Sequence, residues 1–517
     1  MMHFFANPVL KSSTPKITNM ITLITACFAT CLDIMNLSAV NIAVPSIASD
    51  IGLDTSTLPW LIASYSIAFA SFLLPAGKLG DLYGYRQVYL FGMGLFAVTS
   101  LINAVSPNQY VLFVFRAIQG LGAACTVPNA IALIANSYKD EKSRGLALST
   151  FAGAAPIGFI VGLILGGILS YTVGWRWIFY ISAICSLAMF IIGFLYVPNF
   201  PREGEADRVD VLGFFLVTSG FVLIIYALSD GQWHLARDPV TLVIGVALIG
   251  ILLFWETRTD HPLLKPSWWR RPNFAIAFAI SFFQYTSFVG YIYVATLMFQ
   301  DAFGYNAIQT ALYFLPAGIV AWFVVYSVEY LTPYTGLRNL IVIAALFGAA
   351  ANIGASFFSV ELGFWKLIFP MHVLLCLGLP VLYVAGQNAM IVSAPPHETG
   401  TLGAVYNTAG QLGSGVGLAI MTAVINGVNK PEATGDDLLP GLRAALYVIA
   451  GILVGVAVLS AIFVKEKPKA VEEGLQPKET LDELEKGTFE NDNAAPEIVV
   501  AKPACNDCSS TASTVIA

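Results

Sequence analysis

The feature of this chain that most limits its fold is a series of apolar runs, each roughly 20 residues long, separated by charged, Gly-containing or Pro-containing segments. A helix needs a run of about this length to cross the hydrocarbon core of a bilayer. Only 11% of the 517 residues are charged and the mean hydropathy is +0.74, whereas soluble domains carry about 25% charged residues. The sequence therefore predicts an all-α polytopic membrane protein.

Fourteen membrane spans are predicted from these runs. Their bounds are 19–44, 58–77, 87–106, 110–136, 145–170, 176–197, 211–229, 240–256, 273–299, 307–330, 338–358, 364–392, 400–427 and 442–464. Of the 26 Lys and Arg residues, twenty fall on segments that this count places on the cytoplasmic side, five fall on the opposite side, and Arg116 lies within a span. Because basic residues are enriched in cytoplasmic loops, we expect both termini to be cytoplasmic.

The two longest charged loops, 198–210 and 257–272, divide the spans into groups of six, two and six. The predicted segments are a cytoplasmic N-terminus at 1–18, an N-terminal six-helix half at 19–197, a central region with two extra helices at 198–272, a C-terminal six-helix half at 273–464, and a cytoplasmic tail at 465–517. The tail is rich in Glu, Lys, Pro, Asn and Ser, which predicts disorder. Two six-span halves indicate an alternating-access carrier with its substrate site near the midplane.

A short polar segment joins the second and third predicted spans. It reads Gly-Lys-Leu-Gly-Asp-Leu-Tyr-Gly-Tyr-Arg, and Gly77, Asp81, Gly84 and Arg86 are its candidate gate residues. Glycines let helix ends approach closely, and a carboxylate is favoured beside a helix N-terminus. We expect these residues to latch the cytoplasmic side in one state of the carrier. The alternative is an ordinary tight loop with a helix cap.

Two lone charges lie inside predicted spans, Asp33 in the first and Arg116 in the fourth. A central Arg costs about 2.5–3.5 kcal/mol on insertion scales, so Arg116 needs a partner. Asp33 is the predicted partner, directly or through water, and a carboxylate balanced between burial and a nearby cation can load and release a proton. Two alternatives stay open: a purely structural ion pair, and an Arg116 that snorkels to the outer membrane edge.

The fifth predicted span is rich in small residues at helical spacing. Its candidate motif consists of Pro156, Gly158, Gly162, Gly166 and Gly167. The glycines spaced four apart share one helix face and allow close packing, and the proline is expected to bend the helix. Generic small-residue packing is the alternative to a dedicated functional motif.

Several of these segments resemble known family signatures. Gly77 to Arg86 and Arg116-Ala117-Ile118-Gln119-Gly120 resemble two motifs of the major facilitator superfamily. Leu32 to Pro45 and the fifth-span motif resemble those of its 14-span drug:proton antiporters, with Leu163 where a Pro is expected. Arg116 to Gly122, Val127-Pro128-Asn129 and Gly153 to Gly158 resemble the fungal aminotriazole and boron resistance branch. The resemblance implies a major facilitator fold of two six-helix halves plus two extra central helices, and proton-coupled movement of a small molecule.

Polar side chains within the spans are candidates for a substrate pocket between the halves. They are Asn36, Gln119, Gln284, Tyr285, Gln387, Asn388, Asn407 and Gln411. Each of them could instead make a hydrogen bond between helices. His372 is a lone titratable residue, for which the alternatives are packing and a proton relay.

Three functions are compatible with this pattern. The first is proton-coupled efflux of drugs, toxic solutes or fungal metabolites, the second is a low-affinity facilitator of ammonium or boric acid, and the third is a non-transporting membrane sensor. The sequence holds no HExxH, GxxxxGK loop or nucleophile–base set, so neither an enzyme nor an ATP-driven pump is predicted. We expect no catalytic residue, metal or cofactor, and we expect the proton gradient to drive transport. The predicted partners are a small-molecule substrate, protons and the lipid bilayer, without nucleic acid. We expect a monomer in the plasma membrane, with the vacuolar membrane as the alternative.

Overall fold

The computed structural model describes residues 15–52, 60–200, 210–230, 237–259, 262–305, 307–358, 364–391, 398–429 and 435–465. Within them, fourteen helices are long and apolar enough to cross a membrane. They are α1 (Pro15–Ile51), α2 (Trp60–Tyr83), α3 (Tyr85–Ala104), α4 (Gln109–Ser137), α5 (Glu141–Thr172), α6 (Arg176–Tyr196), α7 (Val211–Asp230), α8 (Arg237–Glu256), α9 (Phe274–Leu297), α10 (Ala307–Thr335), α11 (Leu337–Ala355), α12 (Phe369–Ile391), α13 (Thr399–Val428) and α14 (Leu439–Phe463). A 3₁₀ turn, Pro266–Arg270, precedes α9, and π-helical turns at Met298–Ala302 and Phe364–Ile368 follow α9 and precede α12.

The predicted all-α fold with fourteen spans is confirmed. Most helix bounds lie within a few residues of the predicted ones, and the largest difference is at α1, which continues to Ile51 instead of ending near residue 44. The predicted N-terminal segment up to residue 14 and the predicted tail from residue 466 onward lie outside the described residues.

The segment predicted as a Gly-rich loop is mostly helical. α2 continues through Gly77 and Asp81 to Tyr83, and only Gly84 separates it from α3. Gly84 has a φ of 101°, in a region that favours glycine. The prediction of a loop was wrong because glycine is a weak helix breaker in a membrane, where it is tolerated at close helix contacts.

The second half repeats this arrangement. Gly336 alone separates α10 from α11, and its φ is 77°. Gly84 and Gly336 therefore form the same sharp corner after the second helix of each half. The corner between the second and third helices is thus the same in the two six-helix groups, α1–α6 and α9–α14.

Small residues bring the helices of each half into backbone contact. A Cβ atom added to Gly92 of α3 would lie 2.6 Å from the carbonyl oxygen of Gly122 in α4. In the second half, a Cβ added to Gly378 of α12 would lie 2.8 Å from the amide nitrogen of Gly348 in α11. Lipid tails are as apolar as the helices, so the hydrophobic effect does not drive helices together in a bilayer. Close packing of this kind therefore favours helix association.

The two extra helices form a hairpin that we call the insert, α7 and α8. α7 packs against the first half, where Val217 and Phe221 share a buried apolar cluster with Ile67 of α2. It also contacts the second half, since a Cβ added to Gly415 of α13 would lie 3.3 Å from Leu228. α8 packs against α7 and leaves large apolar side chains exposed, among them Val243, Val246 and Phe254. The insert therefore touches both halves.

Candidate functional site

Arg116 lies in α4 and is completely buried. Its Nη1 donates hydrogen bonds to Asn36 Oδ1 at 2.6 Å and to Gln119 Oε1 at 2.9 Å, and its Nε donates to the Leu61 carbonyl oxygen at 3.3 Å. Polar groups on three helices therefore compensate the guanidinium, as expected for a charge inside the membrane. The alternative in which Arg116 snorkels to the outer membrane edge is wrong.

Tyr65 of α2 stands between Arg116 and Asp33. The Arg116 Cζ atom lies 4.5 Å from the centroid of the Tyr65 ring, a cation–π arrangement. The Tyr65 hydroxyl donates a hydrogen bond to Asp33 Oδ1. Among the described residues no direct ion pair joins Asp33 and Arg116, although the two charges still interact electrostatically. The predicted partners are thus brought together, but the group that connects them is Tyr65 rather than a direct contact.

Two of the predicted pocket residues belong to the Arg116 network instead. Asn36 Nδ2 donates to Ser182 Oγ at 3.0 Å, and Gln119 Nε2 donates to Ser100 Oγ at 2.7 Å. Asn36 and Gln119 are completely buried within the first half. Their amide groups are therefore occupied in holding Arg116, and the prediction that they line the substrate pocket is not supported by these contacts. Arg116 Nη2 has no hydrogen-bond partner among the described residues.

A group of tyrosines in the second half faces this network. The Tyr383 hydroxyl of α12 donates to Asn407 Oδ1 at 3.4 Å, and its ring centroid lies 6.0 Å from that of Tyr285 in α9. The Tyr406 hydroxyl donates to the Tyr383 carbonyl oxygen at 2.8 Å. Tyr285 interacts electrostatically with Asp33 of the first half. The predicted residues Tyr285 and Asn407 are therefore assembled around Tyr383, and Tyr285 lies within electrostatic range of Asp33 in the opposite half.

The other predicted pocket residues lie on the same three helices, α9, α12 and α13. Gln284 and Gln387 are buried, and Gln284 Oε1 and Gln387 Nε2 have no hydrogen-bond partner among the described residues. Asn388 and Gln411 are half-buried. A buried amide without a partner costs about 1–3 kcal/mol, so such groups are suited to a ligand with complementary polar atoms.

Asp81, near the end of α2, reaches the first turn of α13. Its Oδ2 accepts hydrogen bonds from the Thr401 backbone N–H at 3.2 Å and from the Thr401 hydroxyl. Thr401 is the third residue of α13, where exposed N–H groups and the helix dipole favour a carboxylate. We call Asp81 and Thr401 the gate contact, and the membrane face on which they lie the gate side. The gate contact joins the two halves.

The remaining predicted gate residues have different roles. A Cβ added to Gly77 would lie 2.6 Å from Ala404 Cβ and 2.8 Å from the Gly400 carbonyl oxygen, so α2 and α13 touch directly. Arg86 is buried and its Nη2 donates to the Phe194 carbonyl oxygen of α6 at 2.6 Å, within the first half. Gly77 and Asp81 thus contact the second half, whereas Arg86 fastens α3 to α6.

The fifth-span motif packs against α1 on either side of Asp33. A Cβ added to Gly166 would lie 2.6 Å from the Ala39 carbonyl oxygen, and Gly158 and Gly162 face the α1 backbone just as closely. Gly167 is different, because its added Cβ would lie 4.0 Å from the nearest atom, Ile42 Cγ2. Pro156 lies inside a continuous α5. Three of the four glycines therefore hold α1 against α5, and Gly167 does not.

A second seam between the halves is formed by α5 and α10. A Cβ added to Gly153 of α5 would lie 3.2 Å from Val325 of α10. Nearer the gate side, the Glu329 carboxylate of α10 lies against Gly145, in the second turn of α5. Sequence alone does not connect Glu329 with the opposite half, because a position near a span end is typical of a boundary charge.

His372 of α12 has the surroundings of a packing residue. Its Nδ1 lies 3.0 Å from the Ile368 carbonyl oxygen, and the Tyr291 hydroxyl lies 3.1 Å from the same nitrogen. The ring packs among Phe299 and Phe314, with centroid distances of 6.1 and 5.7 Å. All of these partners belong to the second half, and the surroundings favour packing over a proton relay.

The model of the Major Facilitator Superfamily matches residues 26–418. The chain belongs to this superfamily. Its members are transporters, and the chain is a multi-pass integral membrane protein of that class.

Two relatives are named for multidrug transport or antibiotic resistance. The chain is 28% identical over 461 residues to the major facilitator superfamily multidrug transporter mfsC of Aspergillus fumigatus, covering 87% of this chain and 88% of that protein. It is 30% identical over 461 residues to the puromycin resistance protein pur8 of Streptomyces alboniger, covering 86% and 90%.

Solved structures share the fold. The human organic anion transporter MFSD10 superposes with a TM-score of 0.62 at 15% identity, covering 86% of this chain and 99% of that structure. The proton:xylose symporter XylE superposes with a TM-score of 0.62 at 14% identity, covering 88% and 97%. At these identities the likeness supports the fold alone.

Proposed function

We propose that this protein is a proton-coupled exporter of drugs, toxic solutes or fungal metabolites, a member of the 14-span drug:proton antiporters. The observation that carries the proposal is the buried Asp33 carboxylate, which lies beside Tyr65 and Arg116 and faces the tyrosine cluster of the other half. The names of the relatives, which include multidrug and puromycin resistance proteins, favour efflux. Within this family the sequence motifs favour the fungal aminotriazole and boron resistance branch.

The position of Asp33 suits a proton carrier. It lies eighteen residues from each end of α1, or about 27 Å along the helix axis, and inside the candidate span Lys16–Val44. Protonation removes its charge and leaves Arg116 without an opposing carboxylate. Because a charge at this depth is costly unless compensated, the protonated and charged states favour different arrangements of the surrounding helices.

α2 provides a physical connection between this site and the gate side. The same helix carries Tyr65, which donates to Asp33, and Asp81, which accepts from Thr401 of α13. The two residues are sixteen positions apart, or about 24 Å along the axis. A movement of α2 caused by a change at Asp33 would therefore strain or release the gate contact. We propose that proton binding and alternating access are coupled along α2.

The distribution of basic residues favours a cytoplasmic gate side with both termini in the cytoplasm. In that orientation the gate contact closes the cytoplasmic side, and the substrate leaves to the opposite side. We propose that the protein acts as a monomer in the plasma membrane, since each half of the site is supplied by the same chain.

Proton flux in liposomes containing the purified protein tests this function. The wild type and the Asp33→Asn variant are compared with a panel of puromycin, aminotriazole, borate, ammonium and amphiphilic drugs. Asp50→Asn is the matched control, because Asp50 is on the same helix but pairs with Arg176 at its exposed end. We expect a substrate that moves protons in the wild type and in Asp50→Asn, and at least tenfold less proton flux in Asp33→Asn.

Substrate flux that persists in Asp33→Asn and ignores the proton gradient would contradict proton coupling. That result would favour the facilitator of ammonium or boric acid and reduce Asp33 to a structural partner of Tyr65. Absence of flux for every compound, in a well-folded wild type, would favour the membrane sensor.

A further inference from the structure

A buried acidic residue directly precedes α13, the helix that the gate contact holds. Glu398 is 5% exposed. Its Oε1 accepts a hydrogen bond from Lys265 Nζ at 2.7 Å, and its Oε2 lies 2.7 Å from Arg271 Nη1 and accepts from Trp268 Nε1 at 3.2 Å. All three partners belong to the linker between α8 and α9. We call these four residues the linker clamp.

The linker clamp and the gate contact act on the same turn of α13. Glu398 is the residue before the first residue of the helix, and Thr401 is three positions further on. The linker, which leads into the second half, therefore holds this turn from one side, while Asp81 of the first half engages it from the other. Since a hydrogen bond tolerates little error in distance and angle, the position of this turn determines whether Asp81 can reach Thr401.

The linker clamp is also continuous with the insert. Glu256, the last residue of α8, is buried and its Oε2 accepts from the Leu264 backbone N–H at 3.1 Å. One residue earlier, Trp255 Nε1 donates to Asp210 Oδ2 at 2.8 Å, at the start of α7. A chain of polar contacts thus runs from the insert through the linker to the first turn of α13.

We propose that Glu398 is a positioning residue of the gate, and that the linker clamp fixes the first turn of α13 where Asp81 captures it. The linker then couples the insert to the second half and stabilises closure of the gate side. This inference rests on the proposed transport function, because it concerns the step at which the gate side opens.

The charge state of Glu398 supports a permanent clamp. Burial would raise the pKa of Glu398, but Lys265 and Arg271 outweigh it and hold that pKa below its ordinary value of 4.5. Because this pKa is lowered, the clamp contributes its full stabilisation at pH values above the ordinary pKa of 4.5. The stabilisation is lost as the pH falls through the lowered pKa of Glu398. The clamp is therefore intact at neutral pH, and a proton-linked change in that range must arise elsewhere.

The test is a distance measurement across the gate side by spin labelling of the full-length protein in nanodiscs. One label replaces Lys139, at the gate-side end of α4, and the other replaces Arg338, at the start of α11; both positions are exposed. Glu398→Gln should lower the ratio of short to long distances by about tenfold, since a hydrogen bond to a charged group is worth on the order of a tenfold change or more. Asp50→Asn removes a carboxylate from an ion pair within the first half and should leave the ratio unchanged.

A charge exchange separates positioning from a general loss of stability. Lys265→Glu and Glu398→Lys should each shift the distances toward the open form, and the double variant should recover most of the closed form. All variants are first shown to be monodisperse. An unchanged distance distribution in Glu398→Gln overturns the proposal, as does a double variant that is no more closed than either single one. These distances are measured without substrate, so they report on the clamp even if proton-coupled flux is not found.

Discussion

The glycines of α5 offer a sharp test of the packing around Asp33. Gly166 and Gly167 are neighbours in the same helix, but they differ in what a methyl group would meet. At Gly166 the added Cβ would lie 2.6 Å from the Ala39 carbonyl oxygen and 2.7 Å from Ala39 Cα, which are backbone atoms of α1. At Gly167 the nearest atom is Ile42 Cγ2 at 4.0 Å. Gly166→Ala should therefore force α1 and α5 apart, and Gly167→Ala should not.

The magnitude follows from two opposing terms. Replacing Gly by Ala in a helix interior is favourable by roughly 0.5–1 kcal/mol, and this term is common to both variants. Overpacking costs typically about 1–3 kcal/mol, and the upper part of that range applies to Gly166 because backbone atoms cannot rotate away. Gly166→Ala should thus be about 2–3 kcal/mol less stable than Gly167→Ala, while Gly167→Ala should equal or slightly exceed the wild type.

Reversible unfolding in mixed micelles measures both variants against the wild type under identical lipid and detergent. The comparison is internal, since the two substitutions share the helix, the residue change and the surrounding solvent. Equal stability of the two alanine variants would refute the account of α1–α5 packing. In that case the glycines at four-residue spacing would have to be explained by helix motion during transport rather than by contact in this state.

Two further predictions concern the charged residues. Asp81→Asn keeps an oxygen that can accept from Thr401 but removes the charge at the start of α13. Such a charge is worth about 0.3–1 kcal/mol near a helix N-terminus. The ratio of closed to open gate-side distances, measured with the same spin-label pair, should therefore fall by about two- to fivefold. An unchanged ratio would show that the charge is not part of the latch. In Arg116→Lys the ammonium lacks the fork geometry with which the guanidinium contacts both Asn36 and Gln119. This variant should therefore lower stability by about 1–3 kcal/mol and reduce substrate flux at least tenfold. Full flux with normal melting would contradict the assigned network.

Much of the fold was predictable because a membrane imposes the same few requirements on every helix that crosses it. Each helix must satisfy its own backbone and be long enough to cross the bilayer, and both requirements are visible as apolar runs. The end of α2 was not predictable in the same way. Gly77, Gly80 and Gly84 look alike in the sequence, yet only Gly84 has the positive φ that ends the helix, because the other two are held in it by contact with α13 and with Asn129.

The candidate site was predictable as far as single residues go, and no further. Asp33 and Arg116 stand out because an isolated charge within an apolar span demands compensation. The sequence does not show how each helix is rotated about its own axis. That rotation places the Tyr65 ring against Arg116 and the Tyr65 hydroxyl against Asp33. A tyrosine within an apolar span is ordinarily a packing residue, so Tyr65 and Tyr383 carried no signal that separates them from their neighbours. Tyr65 could have been identified from the rule that a buried hydroxyl needs a hydrogen-bond partner, once α2 is known to face both α1 and α4.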